Sequence, residues 1–134
     1  MADDVCVFDV DGTLIDSLTG TSLRPGSVEL LTDLRRAGYA TILWSAGGAS
    51  YAWDRAREHG IAELFDSFQP KEERDTEGRY RSTFIPGLDR AVFIDDRPED
   101  MPVGANVIAV SPYIAHNPHD RGLAKVVALV DKVA

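Results

Sequence analysis

The chain has 134 residues, 44% of them hydrophobic and 27% charged, with a formal net charge of −8, the proportions of one globular domain rather than of a disordered chain. An acid excess of this size disfavours nucleic acid and anionic membranes, whose binding draws on Lys and Arg. Cys6 is the single cysteine, which excludes an internal disulfide framework; no apolar run approaches the ~18 residues of a membrane span, and acidic Asp3 and Asp4 stand where an export signal needs positive charge, so a cytoplasmic location and one domain over residues 1–134 are expected.

In chain order, Val5-Cys6-Val7-Phe8 followed by Val10 reads as a buried strand that Asp11-Gly12 ends. Pro25-Gly26-Ser27 opens a helix with Val28, Leu31, Leu34 and Ala37 on one face and Gly38 as its stop. Tyr39 to Trp44 is a second apolar strand, broken by Gly47-Gly48; Tyr51 to His59 is helical, stopped by Gly60. Leu64 to Phe68 suggests a short third strand. The polar stretch from Gln69 to Gly87 is compatible with either a small hairpin at Glu77-Gly78-Arg79 or a loop. Ala91 to Ile94 is a fourth strand ending in Asp95-Asp96, and Asn106 to Val110 a fifth, cut by Ser111-Pro112. Asp120 is placed to cap a last helix carrying Leu123, Val126, Val127 and Val130.

Buried strands without alternation, separated by amphipathic helices, indicate a mainly parallel five-stranded sheet with helices on both faces, a three-layer α/β/α Rossmann-like fold. Ligands of such sheets gather beyond the carboxyl ends of the strands. Three of these ends carry conspicuous polar groups: Asp9 and Asp11, then Ser45, then Asp95 and Asp96. The topology would bring them to one crevice although they are far apart in sequence.

The chemistry such groups can do is specific. A carboxylate such as Asp9 is ionised at neutral pH and can attack phosphorus without an activating base. Asp11 is spaced to protonate a leaving alkoxide and later to take a proton from water. Strand alternation puts residues 9 and 11 on one side, Gly12 lets the chain turn, and Thr13 is a candidate to orient Asp11.

The run Asp9-Val10-Asp11-Gly12-Thr13-Leu14, the strand Ile42-Leu43-Trp44-Ser45 and the strand Val92-Phe93-Ile94-Asp95-Asp96 with Asp100 following resemble three motifs of the haloacid dehalogenase superfamily, in its phosphatase branch. The resemblance spans residues 5 to about 110. It implies a Mg²⁺-dependent phosphomonoesterase working through an aspartyl-phosphate on Asp9, with Asp11 as acid and base. Mg²⁺ would be held by Asp9, the Asp11 carbonyl and Asp96, with Asp95 in support or in Asp96's place. Ser45, beside Ala46, would donate to a phosphoryl oxygen, and Gly12 would let the backbone approach the substrate. The remaining motif is a Lys or Arg that ties down nucleophile and phosphate: Lys71 follows the third strand, with Arg79 and Arg81 as competitors.

Other features admit plainer readings. Trp44, Trp53 and Tyr51 are expected to pack the core and the second helix rather than stack bases, and His116 and His119 to serve turn chemistry rather than a metal. The phrase from Trp44 to Ala52 is similar to one in phosphoprotein phosphatases of the same superfamily, which usually carry Glu where Gly12 stands. Acidic Asp11 and the acidic fourth strand end disfavour a dehalogenase. Neither the Leu14–Pro25 gap nor the Ser45–Lys71 gap holds a cap domain of ordinary size. The site is therefore expected to be capless and open to a phosphorylated partner of unspecified size, a polynucleotide end among the alternatives, or to be covered by a second copy of the chain. A module that kept the fold and lost turnover is the rival from another class.

Overall fold

The computed structural model describes residues 4–85 and 87–133. Five parallel strands form one sheet in the order β3-β2-β1-β4-β5: β1 Val5–Asp9, β2 Ala40–Ser45, β3 Ser67–Pro70, β4 Ala91–Asp95 and β5 Asn106–Ala109. Register pairs Asp9 with Trp44 and Phe8 with both Leu43 and Ile94, so the ends of the three central strands lie side by side. The chain adds β2 and β3 on one side of β1, then returns to place β4 on the other. The switch point thus falls where β1 and β4 both end in aspartate.

Alternation along the strands sorts the core. Cys6, Phe8, Leu43, Val92 and Ile94 face helices α1 Ser27–Arg36, α2 Ala49–Glu58 and α3 Val126–Val133. Val7, Trp44, Ala91 and Phe93 face the other way, against Tyr80, Phe84, Ile85, Leu88 and Met101. That second outer layer is built from loop and the 3₁₀ turns Leu88–Arg90 and Pro98–Asp100, since in the sequence Pro86-Gly87, Pro98 and Pro102 interrupt the segments that carry its apolar residues. Trp44 anchors it, its ring 5.3 Å from Phe93, 5.8 Å from Phe84 and 6.1 Å from Tyr80.

Several elements differ from expectation. In α1 the buried face is Ser27, Leu30, Leu31 and Leu34, while Val28 is exposed. Trp53 is also largely exposed and stacks under the Arg57 guanidinium at 4.4 Å rather than packing the core. The third strand starts at Ser67, not Leu64. Residues Ala62–Leu64 form a 3₁₀ turn, Phe65 leaves the sheet line to meet Phe8 edge-on at 6.3 Å, and the Asp66 carboxylate accepts from the Thr41 backbone at 2.8 Å. The last helix starts at Val126, because the Asp120 carboxylate is engaged by Arg24 at 2.7 Å and by the Gly122 N–H at 2.9 Å. Between Gln69 and Gly87 the turn at Glu77-Gly78-Arg79 closes a single antiparallel bridge, Arg74 to Tyr80.

Candidate active site

The site lies at the carboxyl end of the sheet, in an open cleft of about 570 Å³ lined by Asp9, Asp11, Ser45, Lys71, Tyr51 and Asp96 among others. Asp9 closes β1 and is buried. Its Oδ1 lies 2.9 Å from the Lys71 ammonium, and its Oδ2 accepts from the Thr13 hydroxyl at 3.4 Å. The Thr13 hydroxyl also lies 3.3 Å from Asp96 Oδ1. Thr13 therefore bridges the two ends of β1 and β4 instead of orienting Asp11, as its place one residue past the Gly12 turn directs it inward.

Lys71 comes to this position through the backbone. Its N–H donates to the Ser45 carbonyl at 2.8 Å, continuing the β2–β3 ladder by one residue and setting Lys71 beside the end of β2. The ammonium then lies 2.9 Å from Asp9 and 3.4 Å from Asp95, with the rings of Trp44 and Tyr80 at 5.3 and 5.1 Å. Arg79 and Arg81 do not compete for the place: Arg79 donates to the Met101 carbonyl at 3.1 Å, and Arg81 is exposed.

Electrostatics follow from this crowding. Burial, and then the neighbouring Asp95 charge, push the Asp9 carboxyl well above the usual range, with Lys71 pulling it back. Asp95 is pushed up to about 6, first by burial. Burial alone would lower the Lys71 ammonium, but Asp9 and Asp95 outweigh it and hold the charge above the usual lysine range. Two buried acids and a partly buried third share one cation, so the nest has negative charge to spare.

The donor set fits a hard divalent ion. Asp9, Asp95 and Asp96 each offer a carboxylate oxygen, and these atoms all lie within 4.8 Å of one another, close to the roughly 4.2 Å across an octahedral oxygen shell with bonds of about 2.1 Å. Asp96 reaches the nest because residue 12 is glycine: with φ of +85°, a Cβ there would lie 2.5 Å from Asp96 Oδ2.

At the end of β2 the Ser45 hydroxyl accepts from the Gly47 N–H at 3.0 Å, which leaves its own proton to donate into the cleft. Ala46 lines the same wall. Asp11 is exposed, and both of its carboxylate oxygens lie 3.0 Å from the Tyr51 hydroxyl. Tyr51, expected to pack, is thus a cleft residue. Its place in the first turn of α2, facing back over Gly47, was the signal available in the sequence. Arg24 went unremarked too: fully buried, it donates to the Thr13 carbonyl at 3.2 Å and to Ser111 at 3.0 Å while paired with Asp120. His116 lies 2.8 Å from the Ser22 hydroxyl, and His119 lines a separate hollow beside the start of α1, so neither joins the acidic cluster.

The sequence model of the NLI interacting factor-like phosphatases matches residues 4–134. Among solved structures, an uncharacterized protein from Listeria monocytogenes serotype 4b is similar with a TM-score of 0.69 and 13% identity, over 99% of this chain and 98% of that one. A haloacid dehalogenase-like family hydrolase from Streptococcus pneumoniae is similar with a TM-score of 0.67 and 17% identity, over 94% of this chain and 97% of that one. No curated protein sequence matches the chain.

Proposed function

This chain belongs to the NLI interacting factor-like phosphatase family, of haloacid dehalogenase-like fold, and we propose that it hydrolyses phosphomonoesters through an aspartyl-phosphate formed on Asp9, with Mg²⁺ as cofactor. The observation that carries this reading is the clamped nucleophile. Asp9 is fixed between Lys71 and Thr13 at the floor of an open cleft, beside two further acids that can share a cation with it.

In the proposed sequence an Asp9 carboxylate oxygen attacks phosphorus in line with the ester bond. The bond's electron pair leaves with the ester oxygen, and the Asp11 carboxyl gives that oxygen its proton. Asp11, now a carboxylate, then takes a proton from the water that attacks the aspartyl-phosphate, returning free Asp9 and inorganic phosphate. Lys71 orients Asp9 and faces the phosphoryl oxygens, and Ser45 donates to one of them.

Asp9, Asp96 and the Asp11 carbonyl would hold Mg²⁺. Asp95 suits a supporting place, since its Oδ1 already accepts from the Arg97 N–H at 2.8 Å and its Oδ2 faces Lys71. When bound, the ion neutralises charge on the phosphoryl oxygens and draws the raised carboxylates back to their ionised forms. The open cleft and a net charge of −8 favour a phosphorylated small molecule or protein over nucleic acid as the substrate, with a second copy of the chain as one means of covering the site.

The test is steady-state hydrolysis of an aryl phosphate with Mg²⁺. Asp9→Asn should lower kcat by about a thousandfold or more, with the fold retained by circular dichroism. Turnover near wild type in that variant would overturn the mechanism.

A further inference from the structure

We infer that Tyr51 is a positioning residue for Asp11, holding the acid in the orientation from which it protonates the leaving oxygen; the inference rests on the reading of Asp11 as general acid. The Tyr51 hydroxyl donates at 3.0 Å to both oxygens of Asp11, and among the described residues no other side chain is hydrogen-bonded to that carboxylate. Asp11 is exposed, so without this contact its carboxylate would sample several rotamers in water.

Tyr51 is itself held on two sides. Its ring lies on Gly47, where a Cβ would come within 2.9 Å of the ring carbon Cγ. The Arg55 guanidinium covers the ring at 5.4 Å, and Arg55 reaches the Gly20 carbonyl at 3.4 Å. A glycine against one side of the ring and a tethered cation on another fix the hydroxyl where Asp11 meets it. A phenol in that place does more than fill space. As the ester bond breaks and the Asp11 proton passes to the leaving oxygen, negative charge appears on the Asp11 carboxylate. The Tyr51 O–H is already aimed at that charge, and a preset donor stabilises it with no reorganisation.

The contribution depends on how much protonation the leaving group needs. A nitrophenolate departs almost unaided, whereas an alkoxide needs the proton. The experiment compares kcat/KM for p-nitrophenyl phosphate and for an alkyl phosphate, with Mg²⁺, in the wild type, Tyr51→Phe and Asp11→Asn. Because kcat/KM reports steps through the first chemical event, the role of Asp11 in the later water step drops out. Tyr51→Phe should lose about tenfold more on the alkyl phosphate than on the nitrophenyl ester, in the same direction as a larger selective loss in Asp11→Asn. Equal losses on the two esters, or none, in Tyr51→Phe beside a selective loss in Asp11→Asn would overturn the positioning role and leave the acid assignment standing. Absence of leaving-group dependence in Asp11→Asn would overturn the acid assignment and this inference with it. Gly47→Ala, which crowds the ring while keeping the hydroxyl, should reproduce the selective loss in part; an unchanged ratio there would contradict the fixed placement of Tyr51.

Discussion

Gly12 joins backbone conformation to site geometry at a single position. It has φ of +85°, and its missing Cβ makes room for the Asp96 carboxylate. Gly12→Ala should cost about 1–3 kcal/mol of stability and displace Asp96 from Asp9, lowering activity with Mg²⁺; urea denaturation and a Mg²⁺ titration of turnover would measure the two effects. Asp16, just past the same turn, is a different device. Burial raises its carboxyl, but hydrogen bonds from Thr19, Ser22 and Gly20 outweigh this and hold it at about 2, against 3.8 ordinarily. Because the folded value is depressed, the stabilisation is complete above about pH 4 and is lost as pH falls towards 2. Asp16→Ala should therefore be less stable than wild type by roughly 1–2 kcal/mol at pH 7, the gap closing on acidification; a gap that stays constant down to pH 2 would contradict this. Residues of the first kind were legible from sequence. Asp9, Asp11, Ser45 and Asp96 each follow an apolar strand, and strand ends in a parallel sheet converge whatever the loops do. Tyr51 and Arg24 were harder to read, because their partners Asp11 and Asp120 lie 40 and 96 positions away; Asp16 is held by Thr19, Gly20 and Ser22 close in sequence, but no motif marks that turn.

Among the elements, the loop after β5 is coupled to the loop after β1 through Arg24. This fully buried guanidinium joins Asp120, Ser111 and the Thr13 carbonyl and lies 5.4 Å from the Tyr113 ring centre, while the Tyr113 N–H donates to the Gly12 carbonyl at 2.7 Å. Asp120→Ala leaves that charge buried without its partner and should cost about 3–5 kcal/mol. The paired replacement Arg24→Met with Asp120→Leu should recover much of the loss, since a buried ion pair adds little over well-packed apolar groups of similar volume. Chemical denaturation of the three proteins decides it; an undisturbed Asp120→Ala would show that the pair clamps nothing. The same interaction explains why α3 begins at Val126 rather than near Asp120: the capping-type carboxylate was visible in the sequence, but its buried partner lies 96 positions away. The third strand shifted for a similar reason, as Phe65 packs on Phe8 and draws the chain off the sheet until Ser67. Periodicity gave the right number of strands and their approximate places in the chain because burial on both sheet faces leaves apolar runs. It erred at edges, where one tertiary contact decides a boundary.

Over the whole molecule, the sheet delivers three acids, one lysine and one serine to the mouth of an open cleft. The negative nest of Asp9, Asp95 and Asp96 around Lys71 is costly for the folded chain by itself, and a bound divalent cation would relieve it. That coupling links the buried charges of the fold to its chemistry. The decisive claim is covalent attachment of phosphorus to Asp9. Acid quenching during turnover of an aryl phosphate with Mg²⁺, borohydride reduction of any acyl-phosphate and peptide mass spectrometry would locate it. A reduced residue is expected at position 9 in the wild type and none in Asp9→Asn; turnover without modification at position 9, or modification of another aspartate, would contradict an aspartyl-phosphate on Asp9.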